Sequence, residues 1–396
     1  MKNGRREFLT KSMVGISSLG LVCGLDNKVV SKIVEEAKPK EVVYRTLGKT
    51  GIELPIVSMG VMNANLPDLI PASYDLGVRH FDTARRYQEG KNERMVGEQI
   101  KELGVRDEVT ISTKIRIPSN EKDSDKKKEF IDSLNDSLKR LQTDYVDILY
   151  IHGLESAEQM HFKPIQEALI QLKEEKKVRF IGVSTHTNMS EVLEEAAKMN
   201  FYDVILTSIN YTMADDERIL KAIKSCADAG VGIVAMKTQG GGRWYGDKSP
   251  EDIKATMNAT AVLKWALKVE GVTTAIPGYT NFDHMNESFS VAYGLDYNDD
   301  EIKFLKDKNA LMGAAFCRQC KGCLASCPKN VDIPTLMRTS MYLVQYSNLS
   351  EARYALDSIA PSRGIKNCGS CSDCIAKCSH YVNIAERISD LKTIFV

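Results

Sequence analysis

Between Val42 and Leu295 the chain repeats one alternation, a short run rich in apolar and β-branched residues followed by a longer stretch of helical period. The runs are IVSMG (Ile56–Gly60), RHFD (Arg79–Asp82), VTISTK (Val109–Lys114) and VDILYIH (Val146–His152). They continue as RFIGVS (Arg179–Ser184), DVILTSI (Asp203–Ile209), GIVAMK (Gly232–Lys237) and TTAIPG (Thr273–Gly278). Between them, KKEFIDSLNDSLKRL sets Phe130, Leu134, Leu138 and Leu141 at the spacing of one helix face. The runs are apolar enough to be buried on both faces, as strands of a parallel sheet are. Eight such units in order imply a closed α/β structure, a (β/α)8 TIM barrel. An open doubly wound sheet is the alternative. Its mark is G-x-G-x-x-G after the first strand, and the VMNANLPD found there does not match. The glycines of QGGGRW (Gly240–Gly242) follow the seventh run and read as a flexible loop.

In such barrels chemistry collects where strands end. Those ends read Asp82, Lys114, His152, Ser184, Asn210 and Lys237. Each alone reads as a polar residue opening a loop; together they favour one site. The stretch GVRHFDTARRYQEGKNERMVGEQI (Gly77–Ile100) then combines G-x-R-x-F-D-T-A, a Tyr five residues after the Asp, and G-x-x-E-x-x-x-G. With ISTK, YIHG, IGVST and AIPG following in order, residues 42–295 resemble the aldo-keto reductase family.

That resemblance implies an oxidoreductase acting on a small-molecule carbonyl or alcohol with NAD(P)H, through a tetrad of Asp82, Tyr87, Lys114 and His152. Tyr87 would be the general acid. A free phenol with a pKa of about 10 is a poor proton shuttle near neutrality, so Lys114 is expected to lower it. Asp82 would pair with Lys114, and His152 would orient the substrate oxygen. By the same resemblance Ser184 and Thr185 hold the cofactor's carboxamide, while the loop from Gly278 and Glu287 hold its adenosine end. Many relatives carry an Arg in this loop; His284 stands there in this chain, which favours NADH over NADPH. The Gln and the aromatic usual after the sixth strand are not evident in LTSINYTM.

Of the 10 cysteines, Cys23 and Cys226 stand alone and the other eight fall between Cys317 and Cys378. CRQCKGCLASC and CGSCSDCIAKC each read C-x2-C-x2-C-x3-C. A short loop of this kind brings three thiolates to one cube and points the fourth elsewhere, so the runs predict two [4Fe–4S] clusters. Zinc is the alternative, though zinc sites use separated C-x2-C pairs. Resemblance to bacterial two-cluster ferredoxins implies that Cys317, Cys320 and Cys323 join Cys378, and that Cys368, Cys371 and Cys374 join Cys327. The intervening VDIPTLMRTSMYLVQYSNLSEARYALDSI reads as helices with Pro334 near an N-terminus. Residues 296–396 therefore read as a small, mostly helical ferredoxin-like domain whose clusters serve structure or a redox partner.

Residues 1–25 carry Arg5 and Arg6 before Phe8, Leu9 and an apolar run too short to span a bilayer. They resemble a twin-arginine signal, which implies periplasmic export of a folded, cofactor-loaded chain; an ordinary basic N-terminus and a cytoplasmic protein is the alternative. Residues 26–41 read as a linker. No transmembrane span is expected in the mature chain. The 53 basic and 53 acidic residues balance, which gives no reason to expect nucleic acid as a partner. Trp244 and Tyr245 are candidates to stack on a substrate ring. A second reading keeps the clusters as the working part: an iron–sulfur electron-transfer protein whose barrel is a docking module.

Overall fold

The computed structural model describes residues 41–119, 122–240, 258–307, 316–371 and 373–396. Arg5, Arg6, Cys23, nearly all of the 26–41 segment, Gly241, Gly242, Trp244 and Tyr245 lie outside them. Val42–Val396 form one compact unit.

A hairpin comes first, β1 (Tyr44–Thr46) antiparallel to β2 (Glu53–Pro55). Its Leu47 and Leu54 are fully buried against Ile148, Tyr150, Val204 and Val234 and plug the barrel floor. Gly48 makes that approach possible: its φ is 50°, and a Cβ there would stand 2.4 Å from the carbonyl oxygen of Gly230.

The barrel strands are β3 (Met59–Gly60), β4 (His80–Asp82), β5 (Thr110–Ile115), β6 (Val146–Leu154), β7 (Val178–Thr185), β8 (Val204–Ser208), β9 (Gly232–Met236) and β10 (Val272–Ala275). Each pairs in parallel with the next. Parallel bridges Val57–Ala275 and Gly60–Gly278 close the ring. All eight runs read from the sequence are therefore strands of one barrel. Gly60 is needed at the seam, where a Cβ would meet the Ile276 oxygen at 2.7 Å.

Helices α1 (Leu69–Leu76), α2 (Lys91–Leu103), α3 (Asp123–Leu141), α4 (Lys163–Glu174), α5 (Met189–Met199), α6 (Glu217–Asp228), α7 (Ala259–Lys268) and α8 (Phe282–Phe289) surround it. In α3 the buried face holds Phe130, Leu134, Leu138 and Leu141, the four residues picked out by period. Phe130 is fully buried. Phe130→Ala is expected to cost ~3–5 kcal/mol, the transfer of a large side chain plus the cavity it leaves. An anaerobic urea titration reads this as a lower midpoint at unchanged slope.

Beyond α9 (Asp299–Lys306) the chain is helical, with α10 (Ile333–Ser340), a π-turn at Met341–Gln345, α11 (Leu349–Asp357) and α12 (Ile384–Phe395). Pro334 sits in the first turn of α10, where its missing N–H is no loss. The two cysteine runs lead into the same motif. Cys323 to Ile333 matches Cys374 to Ile384: Asn330 and Tyr381 are left-handed, Val331 and Val382 are buried, and Asp332 and Asn383 cap the helices. Val331, Ile333, Val382 and Ile384 with Leu336, Ile388 and Leu391 form a second core, against which Cys317, Cys323, Cys327, Cys368 and Cys378 pack.

Candidate active site and iron–sulfur ligands

Adjacent strands deliver the tetrad because their registers align. Asp82 ends β4, Lys114 lies in β5 and His152 in β6. Lys114 Nζ donates to Asp82 Oδ1 and, at 2.7 Å, to the Thr83 carbonyl oxygen. Ser112 Oγ donates to the second Asp82 oxygen at 2.6 Å. Both members of this ion pair are 2% exposed, so neither is affordable in the interior without the other. Burial holds the Lys114 ammonium below its ordinary range, and the charge of Asp82 opposes that.

Tyr87 opens a 3-10 turn directly after β4. The next two residues, Gln88 and Glu89, are left-handed at φ 50° and 57°. Each such non-glycine residue costs on the order of 1–2 kcal/mol. Gln88 Nε2 offsets part of this by donating to the carbonyls of Met62 and Ala64, both at 3.2 Å. The Tyr87 ring stands edge-on to His152 with centroids 5.9 Å apart, and Lys114 Nζ is 5.2 Å from its centroid.

The charge states differ from the sequence expectation. Burial first, then Asp82, Glu351 and Tyr342, push the Tyr87 phenol well above its usual value, with Arg86 opposing. Burial is thus the largest influence on the phenol, ahead of any neighbouring charge. Tyr87 is a protonated phenol at neutral pH. His152 is driven well below its usual value by burial and by Lys114, Arg116, Arg86 and Lys237. It is neutral, and its Nδ1 is buried without a partner among the described residues.

These four residues line one cavity of about 370 Å³ at the strands' C-terminal ends. Of the residues expected to hold cofactor, Ser184, Gly278 and Glu287 line it too, as does His284, whose Nδ1 is 2.8 Å from Thr280 Oγ1. Thr185 is turned away. Its hydroxyl is bonded within the loop, to Leu154 O and Thr187 O at 2.7 Å. Asn210 caps the turn after β8 through Thr212. Lys237 reaches the cavity from a left-handed position after β9.

That the C-terminal helices complete this cavity was missed in reading the sequence. Arg338, Tyr342, Gln345, Tyr346, Glu351 and Tyr354 line its outer wall. Arg86 pairs with buried Glu351 and lies 3.2 Å over the Tyr354 ring. Arg116 stacks on the same ring at 4.5 Å, and Lys237 Nζ is 3.3 Å from the Tyr342 hydroxyl. Arg338 Nη1 is 3.1 Å from His186 Nδ1. Tyr342 and Tyr346 at i, i+4 were the one available hint, and that spacing reads equally well as core.

The eight clustered thiols are free. Burial pushes Cys317 up to about 12, and the further charges acting on it are those of Cys323, Cys378 and Cys320. Cys368 is raised by burial, with Lys392 opposing, and then by Cys327, Cys374 and Cys371. Each run thus has a member close to the other: Cys317 and Cys323 feel Cys378, and Cys368 feels Cys327, while Cys327 also acts on Cys323 of its own run. Among the described residues no three His, Cys, Asp or Glu are drawn up around a single ion. Eight free thiols in two C-x2-C-x2-C-x3-C runs are the donor chemistry that four-iron cubes take. Only a thin partition separates Cys317 from the cavity. His186, Lys237, Arg338 and Gln345 line the cavity on one side and, on the other, a void of about 10 Å³ that touches Cys317.

A closed parallel barrel with a convergent polar mouth is thus joined to a helical appendage that carries eight thiols. Residues 61–261 match the aldo/keto reductase family, and residues 316–383 match the 4Fe-4S dicluster domain. The chain belongs to the aldo/keto reductase family. It is 32% identical over 223 residues to methylglyoxal reductase DkgB of Salmonella typhimurium, covering 55% of this chain and 79% of that one. It is 25% identical over 314 residues to L-galactose dehydrogenase of Arabidopsis thaliana, covering 69% and 95%. In fold it is similar to aldo-keto reductase AKR11C1 of Bacillus halodurans, with TM-score 0.56 at 22% identity, covering 67% of this chain and 96% of that one. No helix among the described residues is long and apolar enough to cross a membrane.

Proposed function

We propose that the protein reduces a small-molecule carbonyl, or oxidises the corresponding alcohol, with NAD(P)H. The observation that carries this is the buried Lys114–Asp82 pair set between Tyr87 and His152 on one cavity. Reduced nicotinamide supplies a hydride when bound. The cavity suits it: Ser184, Gly278, Thr280 and Glu287 line it, and Thr238 presents a buried hydroxyl with no partner among the described residues. His284 in place of an arginine favours NADH. Tyr87 gives its proton to the oxygen as negative charge develops there. Neutral His152 donates a hydrogen bond to the same oxygen and fixes its position. Lys114, held by Asp82, keeps a positive charge beneath the phenol as it loses its proton.

In this reading residues 42–295 are the catalytic domain and residues 296–396 the iron–sulfur domain. Two [4Fe–4S] clusters, held by Cys317, Cys320, Cys323 and Cys378 and by Cys327, Cys368, Cys371 and Cys374, supply one-electron transfer or rigidity. Arg5 and Arg6 mark the chain for twin-arginine export to the periplasm, which cell fractionation tests.

The test is anaerobic: intact protein, NADH or NADPH, and a panel of aldehydes and ketones. Carbonyl-dependent oxidation of the nicotinamide is expected, and none across the panel would sink the reading. The thin partition at Cys317 favours a second reading, an electron-transfer protein whose barrel is a docking module. Hydride moves two electrons and a cluster one, so wiring them directly needs a group stable as a radical. Cluster reduction by NADH alone, followed by EPR, would establish that path.

A further inference from the structure

Five cations line the cavity, and only two of them meet a carboxylate there. Asp82 takes Lys114 and Glu351 takes Arg86. Arg116, Lys237 and Arg338 line the same wall, and none of the three is in an ion pair among the described residues. Arg338 is 7% exposed, and its bond runs to a neutral ring nitrogen of His186. Arg116 lies on the Tyr354 face with its Nε buried and unpartnered. Burying cations this way is costly unless an anion arrives to offset it. The convergence is strong enough that Lys237 and Arg338, after burial itself, help hold His186 uncharged.

Arg116 follows β5, across the ring from β10 and the Gly278, Thr280, His284 and Glu287 side, whereas Lys237 follows β9, the strand beside β10. Arg338 meets His186, two residues beyond Ser184 at the end of β7. Arg116 and Lys237 both act on His152, so the cationic wall flanks the reacting oxygen's place. Planar guanidinium groups grip carboxylate and phosphate in pairs of parallel hydrogen bonds.

We propose that Arg116 and Arg338, with Lys237, bind a carboxylate or phosphate carried by the carbonyl substrate, so that the iron–sulfur domain, through Arg338, selects anionic substrates. The proposal rests on the carbonyl-reductase reading of the cavity.

The test uses the full chain with its clusters intact. Two aldehydes of one skeleton are compared, 4-carboxybenzaldehyde and its methyl ester. The acid is expected to have the higher kcat/KM. Arg338→Gln and Arg116→Gln should each lower the acid-over-ester ratio about 10- to 100-fold, the worth of one charge-assisted hydrogen bond. Arg338→Lys should restore part of it. Wild-type visible absorbance of the clusters shows that the variants are folded. A ratio that does not change overturns the proposal. So does a rise in the nicotinamide KM in its place, since the cations would then hold the cofactor's phosphates. Benzoate binding measured by calorimetry separates the two readings. Binding weakened at least about tenfold in Arg338→Gln, in a chain that reduces no carbonyl, supports the anion site and sinks the reductase. Absence of benzoate binding in a chain that turns over neutral aldehydes overturns the anion site alone.

Discussion

Tyr87→Phe is expected to lower kcat for carbonyl reduction by ~10²–10⁴, the usual worth of a positioned general acid. The change removes one oxygen and keeps the ring that stands edge-on to His152 and near the Lys114 ammonium. The buried Lys114–Asp82 pair does not involve the phenol oxygen, so the ion pair and the fold stay intact. The loss should therefore appear in kcat with the nicotinamide KM little altered, the mark of an interaction made in the transition state. The pH profile adds a second reading. Burial and the charges of Asp82 and Glu351 raise the phenol's pKa, so the acid keeps its proton through neutral and mildly alkaline solution. Wild-type reduction should not decline across that range through loss of this proton. His152, held neutral by burial and four cations, should add no acidic limb near its ordinary value. A variant within about tenfold of wild type would place the proton elsewhere.

How much of this was legible in the sequence follows from what each feature depends on. The eight strands were, because burial on both faces leaves a continuous apolar run, and the Phe130 face was, because its period is local. The β1–β2 hairpin was not. Its strands are three residues long, too short to display a period. That Asp82, Lys114 and His152 meet at strand ends was legible, but their electrostatics were not. Whether Lys114 acts more on Tyr87 or on Asp82 is decided by distances, and Asp82 is the nearer. The outer wall was the least legible part. Arg338, Tyr342 and Glu351 reach the cavity from a helical segment whose apolar residues divide between a separate core, with Ile333, Leu336 and Met337, and the barrel's own, with Met341, Ala352 and Ala355, a division that no local period displays. Only the packing of that segment on Arg86, Arg116 and His186 shows where they point.

Removing a cluster ligand should test whether that wall depends on the iron–sulfur core. Cys317→Ser is expected to lower the iron content by about half, since in the proposed ligation its thiol joins Cys320, Cys323 and Cys378 on one cube, and each cube needs four thiolates. The effect should also reach the barrel. Cys317 packs in the core that seats α10, and α10 carries Arg338 to the cavity wall. Gln319, two residues on, ties this run to α10 by donating to the Pro334 carbonyl at 2.8 Å. If the cube is lost, α10 loses that seat and the wall shifts while the tetrad on β4, β5 and β6 stays in place. A displacement of about 1 Å is worth on the order of 10²-fold in rate when it moves a positioning group. Turnover of an anionic aldehyde should fall by that order, with little change in the stability of the barrel. Cys371→Ser is the internal comparison. It should lose as much iron from the other group, whose thiols do not touch the partition, and keep more of the turnover. Equal losses in the two variants would mean that the clusters support the appendage as a whole. If Cys317→Ser lost its iron and kept its rate, the contacts of Arg86 with Glu351 and Tyr354 would be enough to hold the mouth closed.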